Sequence, residues 1–119
     1  MDEQIQKDVM EFNAMRQQLA NVAGQKQQLQ FQSDTLKAAL DELKDSKEEK
    51  VYKAVGNILI LKKATEVKKE LTESKETVDL RLKTVAKQEE TLLNKLNKMR
   101  TELEAAMGQG PETTTKTKK

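Results

Sequence analysis

Val51-Tyr52-Lys53-Ala54-Val55-Gly56-Asn57-Ile58-Leu59-Ile60-Leu61 sits near the middle of a 119-residue chain, and its reading decides the fold. Two β-prone runs flank a Gly-Asn pair, a strong signal for a two-residue hairpin turn, because Gly56 takes φ > 0 without a Cβ clash. The arms on either side contain no Pro and no Cys, and only Gly24 interrupts them. They read as helices of nearly equal length. A tight reversal between equal helices predicts one antiparallel two-helix rod with a β tip.

Counting in sevens from Ile5 tests that reading. In the first arm the a positions are Ile5, Phe12, Leu19, Lys26, Ser33 and Leu40, and the d positions are Asp8, Met15, Val22, Leu29, Leu36 and Leu43. Nine of these twelve are apolar. In the second arm d runs Leu71, Val78, Val85, Leu92, Met99, Ala106, and a runs Lys75, Leu82, Glu89, Leu96, Leu103. Here nine of eleven are apolar. A sustained heptad is the mark of a coiled-coil helix, and a strict repeat of seven predicts a left-handed supercoil. Helices are expected over about 4–49 and 64–107, each roughly 65 Å long at 1.5 Å per residue. The organisation expected is an N-terminal coiled-coil segment 1–50, a hairpin element 51–63, a C-terminal coiled-coil helix 64–107 and a disordered tail 108–119. Gly24 falls on an outer f position, where glycine costs about 1 kcal/mol relative to Ala.

Composition supports a seam rather than a globular core. Apolar residues make up 35%, charged residues 35% and aromatics 3%, and a helix–helix seam needs apolar residues at only two positions in seven. Net charge is +2, from 22 basic and 20 acidic residues mixed along the chain, which argues against a nucleic-acid footprint. Zero Cys and zero His leave no thiolate metal site and remove the commonest metal ligand and general base. No apolar run approaches a membrane span, Met1-Asp-Glu-Gln4 does not read as a signal peptide, and the cytoplasm is the expected compartment. Phosphate-cradling loops and nucleophile–base sets are missing as well. Neither an enzymatic activity nor a cofactor is expected.

The hairpin cannot stand alone. Val51, Lys53 and Val55 share one strand face and Tyr52 and Ala54 the other, while Ile58-Leu59-Ile60-Leu61 is apolar on both faces. A two-stranded hairpin is marginal in water, and open edges beside exposed Ile and Leu invite association. Val51, Tyr52, Val55, Ile58, Leu59, Ile60 and Leu61 are therefore expected to form an interface in which hairpins of several chains pair into a shared sheet or barrel.

Together these features resemble a known family. The hairpin Val51-Tyr52-Lys53-x-x-Gly56-Asn57-Ile58-Leu59-Ile60, the downstream run Leu80-x-Leu82-Lys83-Thr84-Val85-x-Lys87-Gln88-Glu89-Glu90, and Gln25-Lys26-Gln27 in the first arm resemble the β-class subunits of prefoldin over roughly residues 5–107. A single hairpin favours the β class, since α-class subunits carry two. The resemblance implies that two α-class and four β-class chains join hairpins into a β-barrel platform, an α2β4 hexamer, with both chain termini at the free ends of the coiled coils. It implies an ATP-independent holdase that captures unfolded polypeptides at those ends and passes them to a group II chaperonin, with neither nucleic acid nor membrane as partner.

At the end carrying the termini the fold-back brings Ile5, Val9, Met10, Phe12 and Met15 together with Met99, Leu103 and Met107. Methionine adapts to varied apolar partners, and these eight residues are the expected client-binding tip. The competing reading is a structural adaptor or tether with one defined partner, which would call for specific charged or aromatic anchors in place of methionines. In the seam, Lys26 and Glu89 are expected within about one turn of each other, pairing to fix the register. In a chain without native cysteine, the pair Lys26→Cys and Glu89→Cys should cross-link in high yield under mild oxidation. No bond would form if the register held the two Cα atoms more than about 7 Å apart.

Overall fold

The structure is a computed structural model that describes residues 2–108. Four elements follow one another: α1 (Glu3–Asp45), β1 (Lys50–Val55), β2 (Ile58–Lys63) and α2 (Ala64–Ala106). The fold class is thus two long helices in antiparallel coiled-coil array with one β-hairpin between them.

Local chemistry sets the element ends. Asp2 caps α1, its carboxylate accepting the Gln4 N–H at 3.1 Å and its carbonyl the Gln6 N–H at 3.0 Å; a first turn otherwise leaves such donors unpaired. The helix stops at Asp45, short of the expected 49. Ser46 accounts for the early stop, because its Oγ accepts the Glu48 N–H at 3.1 Å, a local turn that competes with continued helix. α2 starts directly from the ladder, the Ala64 N–H donating to the Glu49 carbonyl at 2.8 Å. Past its far end Gly108 takes φ +70° and donates to the Ala105 carbonyl at 3.1 Å, a left-handed glycine cap. The expected tail lies, beyond Gly108, outside the described residues.

The strands pair antiparallel, from Lys50 opposite Lys63 to Val55 opposite Ile58. Gly56 at φ +61° is the one turn residue with positive φ. That is the II′ pattern, which needs glycine at its first central position and suits the twist of a hairpin.

Packing of the described residues resolves into two units, one formed by those up to Gly24 with those from Val85 onward, the other by Gln25–Thr84. The heptad seam is visible in each. All twelve a and d positions of α1 are buried or half-buried. So are those of α2 from Leu71 to Leu103, and only Ala106 is exposed. Val22, Leu96 and Leu103 are buried in the first unit and Val67 and Ser33 in the second, yet no large side chain among the described residues is fully enclosed. The core is a seam one side chain thick. Gly24 stays helical and exposed, with open space where a Cβ would lie.

Two seam positions that break the apolar pattern are joined in the second unit. Ser33, only 6% exposed, donates to Asp79 Oδ1 at 2.6 Å. Lys75, one turn before Asp79, donates to Oδ2 at 2.7 Å. One carboxylate thereby satisfies a polar seam residue from each helix, which an unpartnered Ser or Lys at an a position would lack. Lys75 first, and Ser33 after it, hold the Asp79 carboxyl below its ordinary value. Lys26 and Glu89 are each half-buried.

Ser33→Ala should therefore move the Asp79 titration, followed by carboxyl NMR, up toward the ordinary aspartate value. It should also lower the thermal midpoint by a few degrees, the usual scale of one lost hydrogen bond. An unmoved Asp79 titration would mean that the cross-helix bond does not form in solution.

Candidate functional site

Alternation along the ladder gives the hairpin two distinct faces. Val51, Lys53, Val55, Ile58, Ile60 and Lys62 lie on one, and Tyr52, Ala54, Leu59 and Leu61 on the other. The first face is fastened to α2 at its root. Lys53 Nζ donates to Glu70 Oε1 at 2.8 Å and Lys62 Nζ to Oε2 at 2.7 Å. One carboxylate thus clamps both strands to the helix that follows them. Val51, Lys53 and Lys62 are half-buried there, and Val67, nearly one turn before Glu70, is buried.

Beyond this root the chain leaves its most apolar residues in water. Tyr52 is 69% exposed, Ile58 and Leu59 65% each, and Val55, Ile60 and Leu61 are open as well. Ile58 and Ile60 face one way and Leu59 and Leu61 the other, so neither face of the outer hairpin is covered. The sheet has two strands among the described residues, so each strand also presents an unpaired edge.

The residues expected at the tip all fall in the first unit, except that they differ in accessibility. Met10 is 72% and Met107 42% exposed, whereas Leu103 is buried in the seam. Ile5, Val9, Phe12, Met15 and Met99 are half-buried. The sequence reading overlooked Leu93, which is 47% exposed. It lies beside an open groove of about 480 Å³ with Phe12, Leu19, Ala20, Ala23 and Leu96, and with Arg16 and Arg100 also lining it. The signal for Leu93 was present: Leu92-Leu93 puts one leucine on the seam and the next just off it.

Among the described residues no cluster of three or more Asp or Glu is placed to hold a metal ion, and no helix is long and apolar enough to cross a membrane. The exposed hairpin and the groove beside Leu93 are both apolar surfaces.

Comparison with known proteins agrees with this architecture. The profile of the prefoldin subunit family matches residues 6–110. Prefoldin subunit beta of Archaeoglobus fulgidus is 46% identical over 90 residues, covering 75% of this chain and 78% of that protein. Prefoldin subunit beta of Methanothrix thermoacetophila is 34% identical over 109 residues, 91% of each chain. The crystal structure of the prefoldin beta subunit from Thermococcus strain KS-1 superposes with a TM-score of 0.81 at 31% identity, covering 88% of this chain and 93% of that one. The chain belongs to the prefoldin subunit family and is of the β class.

The Glu70 clamp sets an acid limit on hairpin anchoring. Hydrogen bonds from Lys53 and Lys62 push the Glu70 carboxyl down from 4.5 to about 2, and the bond to Glu70 raises the Lys62 ammonium above its ordinary 10.5. A carboxyl depressed by folding adds stability that is complete above its unfolded value and is lost as pH falls through its folded one. The clamp should therefore be whole from about pH 5 up to the alkaline range, where Lys62 gives up its proton, and should fail between about pH 4.5 and 2. Amide exchange of the hairpin root is expected to accelerate across that acid window. In Glu70→Gln the acceleration should be present already at neutral pH, with no further acid step at this position.

Proposed function

We propose that this β-class prefoldin chain is part of an ATP-independent holdase, which captures unfolded polypeptides at the ends of its helices and passes them to a group II chaperonin. Membership in the family makes it a chaperone subunit that works in complex with other prefoldin subunits. The finer assignment rests on where the chain leaves apolar surface uncovered.

At the hairpin, Val51, Tyr52, Val55 and Ile58–Leu61 are the surface through which the chain joins α-class subunits and further β-class copies in an α2β4 hexamer, by building a shared β-barrel. Exposed apolar strands with unpaired edges are unstable alone and are satisfied by pairing with like strands. At the helix ends the client surface consists of Ile5, Val9, Met10, Phe12, Met15, Met99, Leu103 and Met107. Met10 and Met107 are accessible from the start, and Leu103 becomes so when the terminal turns fray, since no loop ties the two helices together there. Several weak ends on one platform gain avidity without any strong individual site. The assembly works in the cytoplasm in this reading and needs neither nucleotide nor cofactor.

The observation that carries the proposal is the uncovered hairpin: it makes a multichain platform necessary, and the platform makes weak ends useful. Deleting residues 1–12 together with 104–119 should leave the mass of the assembly unchanged apart from the missing segments, while suppression of client aggregation falls sharply. Ile60→Asp should do the reverse to assembly, keeping helical circular dichroism but dispersing the complex, since a buried unpaired charge is not tolerated. Retained client holding by the truncated assembly would remove the ends as the binding site. An unchanged mass for Ile60→Asp in light scattering would remove the shared barrel.

A further inference from the structure

The two flanks of the helix pair in the first unit are chemically unlike. In an antiparallel pair, e positions face e positions on one side of the seam and g positions face g positions on the other. The g side carries Glu11, Gln18, Gln88, Lys95 and Glu102, all polar and exposed. The e side carries Val9, Arg16 and Ala23 from α1, and Ala86, Leu93, Arg100 and Met107 from α2. The open groove lies on this e side, since Arg16, Ala23, Leu93 and Arg100 all line it. Small residues, Ala20 and Ala23, make room in the wall, and Leu93 stands 47% exposed at its edge.

The two guanidinium groups are the informative part. Arg16 and Arg100 are exposed, and neither makes a hydrogen bond or ion pair among the described residues. They are two of only three arginines in a chain whose other cations are lysines. The third, Arg81, lies in the other unit. Arginine presents a planar fork that matches a carboxylate with two parallel bonds, which lysine cannot do. Glu89 also lines the groove, so one carboxylate stands against two guanidinium groups there and the balance stays positive.

We propose that this one-sided groove is a client subsite that takes an unfolded segment whose apolar side chains are flanked by Asp or Glu. The inference rests on the client-capture reading and sharpens it. Apolar residues enter beside Leu93 and Phe12, and neighbouring carboxylates meet Arg16 and Arg100. The chain's own residues 109–119 are a poor occupant by charge, since they hold one acidic side chain, Glu112, against three basic ones, Lys116, Lys118 and Lys119.

Three fluorescein-labelled peptides with the same Leu and Phe residues, flanked by Glu, Ser or Lys, test this on the assembled full-length protein by anisotropy. The Glu-flanked peptide should bind about fivefold tighter than the Ser-flanked one at low salt, the scale of two exposed ion pairs, and the Lys-flanked one weakest. The preference should vanish at about 1 M salt, where charges are screened over about 3 Å. Arg16→Glu with Arg100→Glu should invert the ranking, and Arg16→Gln with Arg100→Gln should flatten it. Inversion and flattening are readouts that mere loss of folding does not produce, and helical circular dichroism checks each variant. Equal binding of the three peptides, or a ranking unchanged in the double variants, overturns the proposal. So does a large gain in Glu-peptide affinity on deleting 109–119, which would assign the groove to the tail. If the wild-type assembly suppresses client aggregation while the peptides bind equally, only this inference fails. If it suppresses nothing, the client-capture reading fails with it.

Discussion

Heptad spacing gives each helix an apolar stripe one side chain wide, and in a chain that is 35% apolar that stripe is nearly all the helices have to bury. Each helix must therefore find one partner stripe, and the hairpin supplies it from the same chain by reversing direction at Gly56. Among the described residues a seam this thin encloses no large side chain fully, so stability is spread in small increments along its length. Polar residues in such a seam need hydrogen-bond partners. Ser33 and Lys75 find theirs in Asp79, and because the cluster draws on both helices it also favours one register over its neighbours.

The same shortage of apolar area shapes the hairpin. A β-hairpin ordinarily lays one face on a core, and here there is none wide enough to receive it. What the chain provides instead is electrostatic fastening at the root, with Glu70 holding Lys53 of one strand and Lys62 of the other. Using a single carboxylate for both strands ties them to α2 and to each other without covering their outer halves. The outer faces and edges then remain available, which a subunit that must pair with others requires and an isolated protein would avoid.

Much of this was legible in the sequence because it depends on local rules. The a and d series runs over nearly all of both helices, and the Gly-Asn pair marked the turn. What escaped were features that depend on how the two helices align in space. Ser33 looked like a simple break in the a series, and Asp79 like an ordinary surface carboxylate one step off the seam. Only the cross-helix alignment brings them within 2.6 Å. Glu70 gave no signal for the same reason, since its role depends on which strand face folds toward α2. Asp45 ends α1 early because Ser46 offers its neighbour a bond, a local competition that heptad counting ignores. Val67 is buried one position away from the repeat that begins at Leu71, near where the hairpin root rather than α1 sets the packing.

Leu93 and the arginines show what a seam-centred reading omits. Counting a and d positions finds the residues that hold helices together, and these are by construction the least available to a third chain. Under the client-capture proposal, residues next to the seam, at e or g, are open to a third chain before any fraying, because a side chain there can touch the groove and still reach water. In the first unit those positions are apolar or cationic on one flank and polar on the other, so the flanks differ as binding surfaces although the seam between them is ordinary. Sidedness of this kind suits a subunit whose copies share a platform. Under the client-capture proposal, copies that present the same flank in the same rotational sense would let an unfolded chain meet several receptive flanks in succession. Avidity then depends on the spacing of matching segments along the client, a property that folded proteins, with those segments buried, do not display.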